Sequence, residues 1–89
     1  MGKAERRIRE YYQSWFMTEA VLFACVNTHT LVKNNKIKTM RSGKGLIEYN
    51  ESFIEGLEEK ELRELLIFEA FRILIRLLNG PLWLVNPLN

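Results

Sequence analysis

Apolar residues in the first third of the chain recur at three- and four-residue steps: Ile8, Tyr12, Trp15, Leu22 and Val26. This spacing puts them on one face of a helix, while lysine and arginine occupy the early turns. The pattern predicts one long amphipathic helix over residues 3–26. Asn27-Thr28 is expected to end it.

Between residues 30 and 50, short runs of β-forming residues alternate with turn residues. Asn34-Asn35 and the glycines at positions 43 and 45 suit tight chain reversals. The segment therefore predicts two or three short antiparallel strands within residues 30–50.

The second half of the chain is predominantly helical in pattern. Asn50 suits the cap of a short helix over 51–56, and a second long helix is expected over 58–78, where acidic residues in the first turn favour the helix dipole. Asn79-Gly80-Pro81 is a strong stop signal. The sequence thus predicts a single α+β domain of two long helices with a small antiparallel β-hairpin or meander between them. Residues 81–89 form an apolar tail, expected to pack on the domain or against a neighbour.

Composition narrows the class of protein. The chain has 89 residues, of which 47% are hydrophobic and 27% charged, so a folded domain is expected and a disordered chain is not. No apolar run reaches the roughly 20 residues that cross a bilayer, and the start lacks an apolar signal core, so we expect a cytoplasmic protein without a membrane partner. The single cysteine, Cys25, excludes an internal disulfide and is expected to be a buried thiol.

Charge is unevenly distributed along the chain. All eleven acidic residues are glutamate, and none lies between Glu19 and Glu48. That stretch carries five cations, here called the basic hairpin: Lys33, Lys36, Lys38, Arg41 and Lys44. Such cations can follow phosphates, but residues 33–44 contain no aromatic residue for base stacking. A solvated, lysine-rich hairpin is the favoured interpretation, and nucleic acid is the less favoured partner.

Two glutamates occupy positions where carboxylates are costly. At 100° per residue, Glu69 lies on the same stripe as Leu62 and Ile73, and Glu19 falls at the centre of the apolar face of the first helix. A buried carboxylate needs a cation, hydrogen-bond donors or a proton. The sequence therefore predicts a buried polar cluster that stabilises helix packing: Glu19, Glu69, Arg72 and Arg76. The alternatives are a residual binding pocket, or a different helix phase that leaves Glu19 or Glu69 exposed.

The region 39–72 carries a glycine turn, a strand ending in Tyr49-Asn50, a short helix with Phe53, an acidic helix start and then Phe-Glu-Ala-Phe-Arg. This order resembles the zincin-like metallopeptidase domain that is associated with von Willebrand factor A-like proteins. The resemblance extends over roughly residues 5–78 and implies a minimal zincin-like core.

The same resemblance places the HExxH motif on this chain. The first zinc histidine falls on Phe68, the general-base glutamate on Glu69 and the second histidine on Arg72. Phenylalanine has no lone pair to give zinc, and arginine stays protonated. His29, the single histidine, cannot rebuild a three-ligand site alone. The resemblance thus implies a degenerate form with no metal, no cofactor and no catalytic residue.

Taken together, the sequence favours a non-catalytic metallopeptidase-like protein that acts as a protein-interaction module. The expected partner is a second copy or another protein, through the apolar tail and the aromatic side of the first helix: Tyr11, Tyr12, Trp15 and Phe16. One alternative is a nucleic-acid-binding protein that uses the basic hairpin at 33–44. The other is an atypical hydrolase that uses Glu69 with His29 and Glu19.

Overall fold

The computed structural model describes residues 2–80, which form four α-helices and one three-stranded sheet. In chain order the elements are α1 (Lys3–Thr18), α2 (Ala20–Asn27), β1 (Thr30–Lys33), β2 (Met40–Gly43), β3 (Leu46–Tyr49), α3 (Glu51–Gly56) and α4 (Glu59–Asn79). The predicted α+β class with a small sheet is confirmed. The predicted apolar tail lies outside the described residues.

The prediction of one helix over 3–26 is wrong, because the helix breaks at Glu19. The backbone there has φ −137° and ψ 60°, outside the helical region, and separates α1 from α2. A straight helix would have held the Glu19 carboxylate on the apolar face. The break leaves Glu19 exposed while Trp15 and Leu22 on either side stay buried.

The sheet is mixed, with strand order β1-β3-β2. β2 and β3 form the predicted antiparallel hairpin, which turns through Lys44 and Gly45, both at positive φ, as a two-residue hairpin of type I′ requires. β1 instead pairs parallel with β3, so the prediction of a wholly antiparallel arrangement is wrong for this strand.

The parallel pairing follows from the path of residues 34–39. A turn over Asn34–Ile37, in which the Ile37 amide donates to the Asn34 carbonyl at 3.4 Å, does not lead back into a neighbouring antiparallel strand. The loop passes around the end of β3 and reaches its far edge. Asn34 fixes the start of this loop on β3, because its amide Nδ2 donates a hydrogen bond to Glu48 Oε2 at 2.7 Å. Asn50, just after β3, fixes the middle of the loop, since its Nδ2 donates a hydrogen bond to the carbonyl oxygen of Ile37 at 2.9 Å. The predicted turn at Asn34-Asn35 is therefore present, but the chain that follows it crosses the end of β3 and does not close a hairpin.

The last two helices agree with the sequence. Asn50 caps α3, because its Oδ1 accepts a hydrogen bond from the Phe53 amide at 2.8 Å. Glu58 and Glu61 form a capping box at the start of α4. Gly80, at φ 53°, ends α4 and donates its amide to the Arg76 carbonyl at 2.8 Å.

The core lies between the sheet and the helices, where α4 packs against α2 and β2, and α1 packs against α2 and α3. The largest fully buried side chains of the core come from α1, β3, α3 and α4: Ile8, Ile47, Ile54, Leu62, Leu66 and Ile73. Cys25 is buried as predicted, and burial raises the pKa of its thiol. None of the described helices is long and apolar enough to cross a bilayer.

Candidate functional site

Glu69 is the one charged side chain that the described part of the fold buries, at 5% exposure. It projects from the inner face of α4, as its helical position predicts. The Ser42 hydroxyl on β2 donates a hydrogen bond to Glu69 Oε2 at 3.2 Å. A hydrogen bond to a buried carboxylate offsets part of its desolvation. The first partner of Glu69 is therefore a serine of the hairpin.

Arg76 reaches the same serine from two turns further along α4. Its Nη1 donates to the Ser42 carbonyl at 2.9 Å, and its Nη2 donates to the Ser42 hydroxyl oxygen. The Ser42 hydroxyl thus accepts a hydrogen bond from the Arg76 guanidinium and donates one to the Glu69 carboxylate. Arg76 belongs to the predicted cluster, but it acts through Ser42.

Tyr12 on α1 lies within electrostatic range of Glu69. Its ring is buried, and its hydroxyl finds no hydrogen-bond partner within residues 2–80. Burial, together with the negative charge of Glu69, raises the pKa of Tyr12 well above its ordinary value. The phenol therefore stays protonated in the field of the carboxylate. We call Tyr12, Ser42, Glu69 and Arg76 the Glu69 cluster.

Two members of the predicted cluster lie elsewhere. Glu19 is exposed at the break between α1 and α2, so its predicted burial is wrong. Arg72 is also exposed, with its guanidinium carbon 5.9 Å from the centroid of the Phe68 ring. A cation over an aromatic face is a favourable contact at the surface. Arg72 therefore pairs with Phe68 and does not neutralise Glu69.

Ser42 was not among the sequence candidates, although one signal pointed to it. Side chains two apart along a strand share a face of the sheet. Met40 is buried, so Ser42, two residues later on β2, turns toward the same side. A serine on the inner face of a strand needs a polar partner.

The three positions aligned with HExxH are divided between two faces of α4. Phe68 is 60% exposed and Arg72 is exposed, whereas Glu69 points into the core. Within residues 2–80, no three His, Cys, Asp or Glu side chains come close enough together to hold a metal ion. The donor set around Glu69 consists of hydroxyl and guanidinium groups, which suit a carboxylate and do not suit zinc.

His29 lies just after α2. Its Nδ1 is 2.7 Å from the hydroxyl oxygen of Thr28, which itself donates to the Cys25 carbonyl. Burial and the nearby charge of Arg76 lower the pKa of His29. The histidine is therefore neutral near pH 7, and Glu19 of the proposed hydrolase set lies exposed at the break between α1 and α2.

The basic hairpin does not form one cationic patch. Arg41 Nε donates to Glu48 at 2.9 Å, and Lys33 lies 3.8 Å from Glu51. Lys36 and Lys38 lie in the loop before β2, whereas Lys44 lies in the turn after it. Strand β2 separates these two positions by its four residues, roughly 13 Å of extended chain. Its cations are thus partly neutralised and placed at opposite ends of the sheet.

The aromatic side of α1 is mostly interior. Tyr12 and Trp15 are buried with their ring centroids 5.3 Å apart, and the Tyr11 hydroxyl donates to Glu59 at 2.6 Å. Phe16 alone of the four predicted interface aromatics is strongly exposed, at 61%. The predicted interface on this side therefore reduces to Phe16 and the exposed Met17 that follows it.

A larger apolar surface lies on α4. Four large side chains that are 49–71% exposed follow one another at steps of three, four and three residues: Phe68, Phe71, Ile75 and Leu78. On a helix of about 100° per residue they fall within about 80° of one another, on the side opposite the buried Leu66 and Ile73. We call this surface the outer stripe of α4.

Comparison of the chain with protein families, with curated proteins and with solved structures finds no match. Function has to be inferred from the chain's own residues. Two features stand out among them, the Glu69 cluster inside and the outer stripe of α4 outside.

Proposed function

We propose that this chain is a non-catalytic, metallopeptidase-like protein-interaction module, and that the outer stripe of α4 is its binding face. The observation that carries the proposal is the exposure of Phe68, Phe71, Ile75 and Leu78 on one line of the helix. Contiguous apolar surface of this kind on a small domain marks a contact with another macromolecule.

The form of α4 supports this function. Its inner face is already satisfied by the core through Leu62, Leu66 and Ile73. Beyond Phe68, the outer side is also apolar, and a helix that is apolar on both sides is normally covered on both. The core of the domain buries the inner side of α4, and the binding partner buries the outer side.

The chemistry of the motif supports a role without catalysis. Phe68 and Arg72 replace the two histidines of the family that the sequence resembles, and neither offers a lone pair to zinc. The Glu69 carboxylate, which would be the general base, is engaged by Ser42 at 3.2 Å. In this proposal Glu69 holds β2 against α4 and takes no part in a reaction.

Site-specific photo-crosslinking in cells tests the binding face. A photo-reactive residue is placed at Ile75 in the full chain and, as the matched control, at the exposed Arg63 on another side of the same helix. We expect a covalent adduct with a protein from position 75 and none from position 63. No adduct at position 75, or equal adducts at both positions, would contradict the proposal.

Metal analysis tests the non-catalytic part independently. Protein purified without chelators is expected to contain far less than one zinc per chain. A stoichiometric zinc that is lost from Glu69→Gln would contradict it and would favour the hydrolase alternative.

A further inference from the structure

The spacing of the outer stripe specifies the kind of surface that fits it. Steps of three, four and three residues are those of alternating a and d positions in a heptad, the pattern that packs knobs into the holes of another helix. Phe68 and Ile75 take the a positions, and Phe71 and Leu78 take the d positions. The fitting surface is therefore an α-helix with a similar seam.

Each copy of this chain already carries such a helix. We infer that α4 pairs with α4 of a second copy, antiparallel and about a two-fold axis near Phe71 and Ile75. This inference rests on the proposed function and names its partner. A two-fold interface is self-complementary, since the same patch serves on both copies.

The outer stripe supplies most of the area at which a specific interface begins. At about 200 Å² for a large apolar side chain, its four residues expose roughly 470 Å² in each copy, so complete burial of these side chains in the pair would remove at most roughly 900 Å² from water. Specific interfaces begin at about 1,000 Å². The half-buried Ile67 and Leu74, which flank the stripe on one side, supply the remainder.

Charge decides the direction of pairing. The same line of positions continues toward the start of α4 through Glu64 and Glu61, at steps of four and three residues. Parallel helices would bring each glutamate against its own copy, and like charges that face each other are destabilising. In the antiparallel pair centred near residue 73, both glutamates lie beyond the apolar overlap. The four seam positions from Phe68 to Leu78 then face one another, with Arg72, whose guanidinium lies over the Phe68 ring, at one margin.

Sedimentation of the full chain over a range of concentrations tests the pairing. The parent is expected to be a dimer. Ile75→Glu buries an unpaired charge at the seam and should weaken association by at least about 100-fold. Leu77→Glu is the matched control, since Leu77 is an exposed leucine of the same turn, 53% exposed and off the stripe. It should remain a dimer, and circular dichroism should show both variants folded.

Cysteine pairs test the direction. Phe71→Cys and Ile75→Cys mixed together are expected to form a disulfide between copies, because they face each other across the axis. Leu78→Cys should not link to its own copy in the antiparallel pair. A Leu78→Cys disulfide with itself would mean parallel helices and would overturn the inferred arrangement. Cys25 is buried and does not compete.

A monomeric parent would overturn the dimer, and so would loss of association in Leu77→Glu alongside Ile75→Glu. Reactivity of Ile75→Cys toward a thiol reagent then separates this failure from failure of the proposed function. A monomer in which position 75 reacts freely leaves the binding face available for a different protein. A monomer in which it is protected means that the chain covers its own stripe, through residues 81–89 or otherwise, and both proposals fail.

Discussion

Ser42 on β2 donates its hydroxyl to the buried carboxylate of Glu69 on α4, across 3.2 Å and 27 positions of sequence. The contact ties the edge of the hairpin to the helix that carries the outer stripe. Arg76 donates to the carbonyl and the hydroxyl of the same serine, so one short side chain joins a cation and an anion of the same helix. Glu69 therefore serves the packing of β2 on α4.

Ser42→Ala is expected to lower the free energy of unfolding by about 1–3 kcal/mol, because it leaves a buried carboxylate without its donor. Urea unfolding measures the change. Ser52→Ala, at an exposed position of α3, is the matched control and should stay within about 0.5 kcal/mol of the parent. Equal effects of the two substitutions would remove the structural role given to Ser42.

Tyr12→Phe is expected to leave the free energy of unfolding unchanged or to raise it by up to about 1 kcal/mol, since the buried hydroxyl has no partner within the described residues. Tyr11→Phe makes the same chemical change one residue earlier and removes a hydrogen bond to Glu59 at 2.6 Å. Tyr11→Phe should therefore lower the melting temperature. A larger loss from Tyr12→Phe would mean that its hydroxyl is bonded after all.

The helix break makes Glu19 tolerant of glycine. Glycine inside a regular helix costs about 1 kcal/mol relative to alanine. Gln13→Gly, in the middle of α1, should show this cost relative to Gln13→Ala, whereas Glu19→Gly should cost clearly less relative to Glu19→Ala, because the backbone at Glu19 is not helical. Thermal unfolding of the four variants measures both differences. Equal costs at the two positions would indicate a continuous helix.

Acid stability depends in part on Glu59, whose pKa is lowered by hydrogen bonds from Tyr11 and Arg7. The folded state then binds fewer protons than the unfolded state, so stability from Glu59 is full above the ordinary value of 4.5 and is lost as pH falls through the lower folded pKa. Glu59→Gln should therefore lose less stability than the parent when pH falls from about 5 to about 3. Urea midpoints across this range check it.

The control for this titration is Glu55→Gln, at an exposed position of the neighbouring helix α3. It removes one carboxylate but keeps the Glu55 backbone carbonyl, which is the group of Glu55 that Arg7 contacts, at 3.4 Å, so it should keep the acid dependence of the parent. If both variants flatten the curve equally, net charge rather than the Glu59 contacts governs acid unfolding.

The sequence by itself determined the elements whose signals are local. The Asn50 cap, the stop at Gly80 and the inward face of Glu69 depend on neighbours within one or two turns, and each is present. It also placed Cys25 in the core. Spacing along one helix was sufficient for these features, because a helix fixes the relative direction of its own side chains.

Tertiary structure decided the rest. The sequence located Glu69 but not its donor, since Ser42 comes from a strand whose position depends on how the loop at 34–39 passes around β3. The same path made β1 parallel and divided the basic hairpin between two ends of the sheet. At Glu19 the prediction from periodicity assumed a straight helix, which would have buried the carboxylate. The helix breaks at this residue instead, and the Glu19 carboxylate is exposed to water. Local pattern sets which way a side chain faces, and the meeting of distant segments sets what it touches.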